Sequence, residues 1–277
     1  MKVQFTKYHG LGNDFIIVED GKGILLPQGE MLARALCHRQ IGIGADGLVL
    51  ITQTSDLYTM RIFNPDGTEP EMCGNAIRCM ADYLVKEGLV EGPIIHVGTL
   101  SGVKEISILG DHYVVDMGEP DFSFGQGEGV EISLSGLTWT AYPVSMGNPH
   151  AVVFVDDLEA LDLFRWGPRL EGAEVWPHGA NIEFTQVLNS QHLQVRVWER
   201  GAGPTLACGT GACAAAVVAA RQGLTRNFGA GGTLVSLPGG DLTIRVGPTN
   251  RVLMIGPAQK VFTGQIDVSR VERESRL

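Results

Sequence analysis

No long apolar run is present. The longest notable one, residues 212–220, covers nine positions and stops at Arg221, too short to span a bilayer. The first ten residues have no apolar core and no small-residue cleavage site, so no secretory leader is expected there. Positive charge is scarce: 21 Lys and Arg stand against 31 Asp and Glu, a formal net charge of −10. That balance argues against nucleic acid or an anionic membrane as the main partner, while leaving room for a local anion-binding pocket. Only five cysteines occur, irregularly spaced. They lack the C-x-x-C and H-x-x-x-H spacings of zinc sites and read as thiols of a cytoplasmic protein, not as a disulfide framework. No lysine lies in a recognisable cofactor motif, and no cofactor or metal is expected.

What is present begins with glycine. Thirty-seven glycines among 277 residues imply many tight turns or places where backbone meets a ligand closely. Hydrophobic content of 44% with 19% charge is enough for a buried core, and the length suits one large domain or two small ones.

Shifted by 135 positions, the sequence matches itself. Gly12-Asn13 falls on Gly147-Asn148, and Gly44-Ala45-Asp46 on Gly179-Ala180-Asn181. Phe63 falls on Trp198, Cys73-Gly74 on Cys208-Gly209, and Gly88-Leu89 on Gly223-Leu224. One constant offset across separate clusters predicts two similar halves. The expected division is 1–117, with a tail over 265–277 returning to it, and 118–264. Both halves read as mixed α/β (α+β). Strands are expected over 3–5, 58–63, 113–116, 193–198 and 242–246 from their alternating or β-branched character. One helix is expected in each half, over about 75–87 and 210–222, each stopped by a following glycine. The second is apolar nearly all round and should be buried on every side. The expected fold is two pseudo-symmetric halves, each a strand-rich, barrel-like sheet wrapped around a central helix.

Cys73 and Cys208 gain chemical meaning from position. Each precedes a glycine and a first helical turn, where unpaired N–H groups and the helix dipole favour a thiolate. The same N–H groups can bind a carboxylate, which Gly74 and Gly209 allow to approach. Two such helix starts related by a pseudo-twofold axis would put thiols on opposite sides of one ligand, suited to moving a proton between the faces of a carbon. Cys37, Cys79 and Cys213 read as small buried hydrophobes. A single nucleophilic cysteine with a histidine base would explain one of the two helix-start cysteines but not the pair. His9, His38, His96, His112, His178 and His192 carry no functional signal.

The ordered motifs resemble those of the diaminopimelate epimerase family over essentially the whole chain. They are His9-Gly10-Leu11-Gly12-Asn13-Asp14-Phe15, Phe63-Asn64-Pro65-Asp66-Gly67 and Met72-Cys73-Gly74-Asn75-Ala76-Ile77-Arg78, then Gly147-Asn148-Pro149-His150, Gly179-Ala180-Asn181, Trp198-Glu199-Arg200-Gly201 and Ala207-Cys208-Gly209-Thr210-Gly211. The resemblance implies a cofactor-independent epimerase interconverting L,L- and meso-diaminopimelate in lysine and peptidoglycan precursor biosynthesis, cytoplasmic and homodimeric. Cys73 and Cys208 would be the acid and base. Backbone N–H groups of Gly74, Asn75, Gly209 and Thr210 would hold the reacting carboxylate. Asn13, Asn64, Asn148, Asn181, Glu199 and Arg200 would fix a dicarboxylic diamino acid, and His150 and Glu199 would tune the thiols. Gly47 stands where some relatives carry a substrate-touching glutamine, a contact that water could fill here. Two alternatives remain open: a proline- or histidine-racemase-like enzyme of the same two-cysteine design, and a non-catalytic amino-acid-binding module. Asn75 speaks against the former, since proline racemases usually place histidine there.

Overall fold

The computed structural model describes residues 1–54, 57–226, 231–247 and 249–268. The chain forms two compact units, Met1–Val115 with the chain from Pro257 onward, and Asp116–Gly256. The first half runs β1 (Lys2–Gly10), β2 (Asn13–Glu19), α1 (Gly29–Leu36), β3 (Gly47–Thr54), β4 (Leu57–Phe63), α2 (Gly74–Lys86), β5 (Ile94–Thr99), β6 (Gly102–Leu109) and β7 (His112–Asp116). The second runs β8 (Val130–Leu134), β9 (Leu137–Ser145), β10 (Pro149–Phe154), α3 (Leu163–Glu171), β11 (Asn181–Asn189), β12 (His192–Glu199), β13 (Gly203–Thr205), α4 (Gly209–Arg221), β14 (Thr233–Leu237), β15 (Gly240–Val246) and β16 (Val252–Pro257). The chain then returns to the first half as β17 (Gln259–Asp267), antiparallel to β1.

Both halves repeat one pairing order. β1 pairs antiparallel with β2, β2 parallel with β3, β3 antiparallel with β4, and β4 parallel with β5. β9, β10, β11, β12 and β14 repeat that sequence of senses. Parallel neighbours cannot be joined by a tight turn and need a crossover, usually helical. Each of the four α-helices among the described residues spans one such crossover. Helices cover the central parallel pairs: α1 and α2 pack on β3 and α2 on β2, while α3 and α4 pack on β11 and α4 on β10. The sequences of these strands are accordingly near-continuous apolar runs, Phe15–Val18, Leu48–Ile51, Ala151–Val153, all buried, as expected for strands covered on two sides.

The helices expected from sequence begin and end one residue earlier than the estimate, at Gly74–Lys86 and Gly209–Arg221. Gly88 and Gly223 beyond them adopt φ of 68° and 71°, the left-handed conformation that glycine takes without steric cost. In α4 every residue from Gly211 to Ala219 is buried. Small side chains make this possible, because strands can close around a helix whose flanks are alanine. Helices α1 and α3 were not anticipated. Proline and glycine within Leu163–Glu171 hide the helical period of α3, and α1 is only eight residues long.

The tail needs a correction. It was expected to return from residue 265, whereas β17 begins at Gln259. An offset comparison cannot find this strand, because β17 takes the place against β1 that β8 takes against β9, and the two are not 135 residues apart. Residues 269–277 of the expected tail lie outside the described residues. No helix among the described residues is long and apolar enough to cross a membrane.

The repeat extends to packing detail. Phe63 and Trp198, equivalent by the offset, each press a ring on a helix glycine. A Cβ built on Gly29 would lie 2.4 Å from Phe63, and one on Gly167 would lie 2.4 Å from Trp198. The Trp198 indole is pinned there by its N–H to Glu171 Oε2 at 2.7 Å. Alanine in place of a helix glycine ordinarily gains up to about 1 kcal/mol, while overpacking costs about 1–3 kcal/mol. Gly167→Ala is therefore expected to lower the melting temperature. A raised value would mean the indole yields without cost.

Candidate active site

In the first half, Cys73 is the N-cap of α2, extended at φ −140° and ψ 120°, and half-buried. Gly74 and Asn75 form the first turn and are buried. Behind them Arg78, fully buried, turns its guanidinium back to the helix start. Nη1 donates to Gly74 O at 3.2 Å, Nη2 to Asn75 Oδ1 at 2.9 Å and Nε to Pro257 O at 3.2 Å. Asn75 Nδ2 donates to Asn13 Oδ1 at 3.0 Å, and Asn13 Nδ2 to Asp46 Oδ2 at 2.9 Å. Asp46 is also paired with Arg39 at 2.6 Å. Asp14, which follows Asn13, is gripped by Arg39 at 2.8 Å and Lys7 at 2.6 Å. Burial alone would raise the Asp14 carboxyl, but these cations outweigh it and hold it down at about 2.

The structure thus joins two of the expected first-half residues, Asn13 and Asn75, in one network. Asn64 is seen in another role. Half-buried, it closes a turn, donating to Thr68 Oγ1 at 3.0 Å while its backbone N–H meets Thr68 O at 2.8 Å. A Cβ built on Gly47 would lie 3.2–3.3 Å from the Phe15 ring and 3.3 Å from Phe63 O, so these neighbours would have to shift slightly to admit a side chain there.

In the second half, Cys208 is the N-cap of α4, at φ −119° and ψ 110°. Its Sγ accepts from Gly211 N–H at 3.4 Å and lies 3.5 Å from Thr210 Oγ1. Only 6% of the residue is exposed. The expectation of a depressed thiol is reversed here: burial, then Glu199, then Glu183 push the Cys208 thiol well up, against the lowering effect of Thr210 and Gly211. Glu199 accepts from Thr205 Oγ1 at 2.6 Å, and its effect on Cys208 has the sign expected of a nearby carboxylate.

Asn148 Oδ1 meets His150 Nε2 at 2.9 Å, and His150 Nδ1 meets Glu183 Oε1 at 2.7 Å. Both side chains of the His150–Glu183 pair are fully buried. Asn181 bridges Pro149 O at 2.8 Å and Arg200 N–H at 2.9 Å. Arg200 is exposed and spends one N–H on His178 O at 3.0 Å. Four of its five guanidinium donors are thus not used by that bond.

Glu183 is the residue that the sequence reading missed. A Cβ on Gly211 would sit 2.8 Å from Glu183 Oε1 and 3.2 Å from Cys208 Sγ, so glycine alone lets the carboxylate and thiol crowd the helix start. One signal was available: Glu183 interrupts Asn181-Ile182-Glu183-Phe184, in a strand otherwise built for two-sided burial. A charge in such a strand needs a buried partner. Cys37, Cys79 and Cys213 are buried, as expected of small hydrophobes, and burial pushes the Cys37 thiol up to about 12.

Against known proteins, a family model described as diaminopimelate epimerase matches residues 5–123 and 142–261. The chain is 46% identical over 279 residues to a diaminopimelate epimerase of Desulfitobacterium hafniense, covering 95% of this chain and 97% of that protein. It is also 46% identical over 286 residues to the diaminopimelate epimerase of Synechocystis sp., covering 97% and 100%. Among solved structures, a phenazine biosynthesis protein of the PhzF family from Bacillus anthracis superposes with a TM-score of 0.74 at 17% identity, covering 96% of this chain and 99% of that one. A hydroxyproline epimerase from Agrobacterium vitis gives 0.72 at 16% identity, covering 96% and 92%. At such identity these two structures speak for the fold alone.

Burial raises the Glu183 carboxyl above its ordinary 4.5 although His150 opposes the shift. The folded state therefore binds this proton more tightly than the unfolded chain does. The associated stability is complete below the unfolded value and is lost as pH rises through the folded one. Glu183→Gln removes that slope. Melting curves recorded upward from pH 4.5 are expected to shift in favour of the variant as pH rises, and parallel curves would contradict a buried, raised carboxyl.

Proposed function

Because the chain belongs to the diaminopimelate epimerase family, we propose that this isomerase interconverts L,L- and meso-diaminopimelate by a two-base mechanism without added cofactor. One observation carries the mechanism: the equivalent crossover helices of both halves begin at a cysteine N-cap, Cys73 on α2 and Cys208 on α4. One sulfur removes the α-proton as thiolate, and the other returns a proton to the opposite face as thiol. The roles reverse in the other direction.

The reacting carboxylate is held by N–H groups of Gly74, Asn75, Gly209 and Thr210. These donors lie at helix starts, where no intrahelical acceptor competes for them. As the α-carbon loses its proton, charge builds on the carboxylate oxygens, and donors fixed in advance stabilise that state more than the ground state. Arg200 grips the distal carboxylate with its remaining donors, and Asn13, Asn64, Asn148 and Asn181 orient the substrate. Glu199 opposes ionisation of Cys208, and His150 completes the tuning of the thiols. The protein is proposed to act in the cytoplasm, as a homodimer, supplying lysine and peptidoglycan precursors.

Purified protein incubated with L,L-diaminopimelate in D₂O, with no pyridoxal phosphate, metal or nucleotide, is expected to place deuterium on the α-carbon. Activity lost on dialysis against a chelator and regained with a metal would overturn the cofactor-free mechanism. Cys73→Ala and Cys208→Ala should each abolish complete epimerisation, since one face then has no proton carrier. Cys79→Ala and Cys213→Ala should keep most activity while losing about 0.5–3 kcal/mol of stability. An inactive but folded Cys79→Ala would refute this division of roles. Removing the Glu199 charge lowers the Cys208 thiol, so Glu199→Gln should move the alkaline limb of the Cys208 titration, followed by thiolate absorbance, toward lower pH.

A further inference from the structure

The first half holds a hydrogen-bond chain whose two ends are charged: Arg78 to Asn75 at 2.9 Å, Asn75 to Asn13 at 3.0 Å, Asn13 to Asp46 at 2.9 Å. An amide side chain can face either way, since its oxygen and nitrogen are nearly the same size, and its neighbours decide. Here the neighbours leave no choice. A guanidinium can only donate, so Asn75 must offer Oδ1 to Arg78 and its NH₂ to Asn13. A carboxylate can only accept, so Asn13 must offer NH₂ to Asp46 and Oδ1 to Asn75. Both ends impose the same direction.

The second half repeats the scaffold with other residue types at these positions. By the 135-residue offset Arg78 corresponds to Cys213, Asn75 to Thr210 and Asp46 to Asn181. Asn148, the counterpart of Asn13, instead meets His150. A polar chain whose residue types are confined to one half is not required by the scaffold that the two halves share. Among the described residues, the second N–H of Asn13 Nδ2 has no partner, and Asn13 is partly exposed. An N–H held in a fixed direction beside a helix start suits an acceptor, that is, a carboxylate oxygen.

We propose that Asp46 is a positioning residue which, with buried Arg78 at the far end, fixes Asn13 as an N–H donor to a substrate carboxylate. This rests on the epimerase reading above, and Asp46 itself touches no substrate. Asp46 also anchors the link between β2 and β3, accepting from Asp14 N–H at 3.0 Å and pairing with Arg39. A merely structural role would therefore travel with the Arg39 pair.

The test measures KM and kcat for diaminopimelate, with melting temperature, in four proteins. The Asp46 side chain is 40% exposed, so its variants should fold. Asp46→Ala removes the acceptor and should raise KM about ten-fold, with kcat held within about three-fold. Asp46→Asn keeps an oxygen that can accept from Asn13 and should recover most of that loss. Arg39→Met removes the ion pairs but leaves the chain whole, so it should lower the melting temperature without raising KM. An unchanged KM in Asp46→Ala, or an equal rise in Arg39→Met, would overturn the proposal. If instead the unaltered protein fails to turn over diaminopimelate, the substrate reading fails, a result distinct from active protein with indifferent Asp46 variants.

Discussion

The first turn of an α-helix has N–H groups that the helix cannot satisfy. Much of this fold serves to present two such turns. Parallel pairing of β4 with β5, and of β12 with β14, obliges the chain to cross over between them. A crossover helix has a start, and that start lies at the end of a strand. Placing cysteine at the N-cap with extended dihedrals, and glycine immediately after, puts a sulfur and several donors within reach of the same ligand. The glycine after each cysteine leaves the backbone of that turn without a side chain.

The two starts are electrically unlike. A helix terminus contributes about 0.3–1 kcal/mol to a neighbouring charge, reaching about 2 kcal/mol in favourable sites. Each pKa unit is about 1.36 kcal/mol, so the dipole is good for a unit or so. Full burial displaces a titration by up to about 3–5 units. At Cys208, with two carboxylates added to burial, the dipole is outweighed and the thiol is pushed well up. At the α2 start the buried ion near the first turn is the Arg78 guanidinium, of the opposite sign.

How much of this was legible in the sequence depended on whether a feature was local. The helix over 74–86 and its partner over 209–221 were readable because a glycine stop and a helical apolar pattern lie in consecutive residues. Cys73 and Cys208 were readable because the repeat marked them twice. The strand β17 was not, since the β1 residues it pairs with, such as Lys2 with Asp267 and His9 with Gln259, lie at the other end of the chain. Nor was the pKa of Cys208. Its N-cap position predicts a lowered value, but Glu183 and Glu199 reach it only through the pairing of β11 with β12. Glu183 looked like an ordinary strand residue until burial made its charge conspicuous.

The same distinction explains why a duplicated scaffold can hold an unsymmetrical reaction. The offset survives at glycines, at Phe63 and Trp198, and at the helix starts, where backbone geometry or ring packing tolerates little change. It fails at positions with freedom to choose a charge: Arg78 against Cys213, Asn64 against Glu199, Phe15 against His150, Leu48 against Glu183. The repeat supplies two helix starts, each alike in its own half. They differ in what surrounds them: Arg78 behind the start of α2, Glu183 beside the start of α4. Duplication therefore accounts for a cysteine at the start of both α2 and α4, and divergence at neighbouring polar positions accounts for the carboxylates that push the Cys208 thiol up.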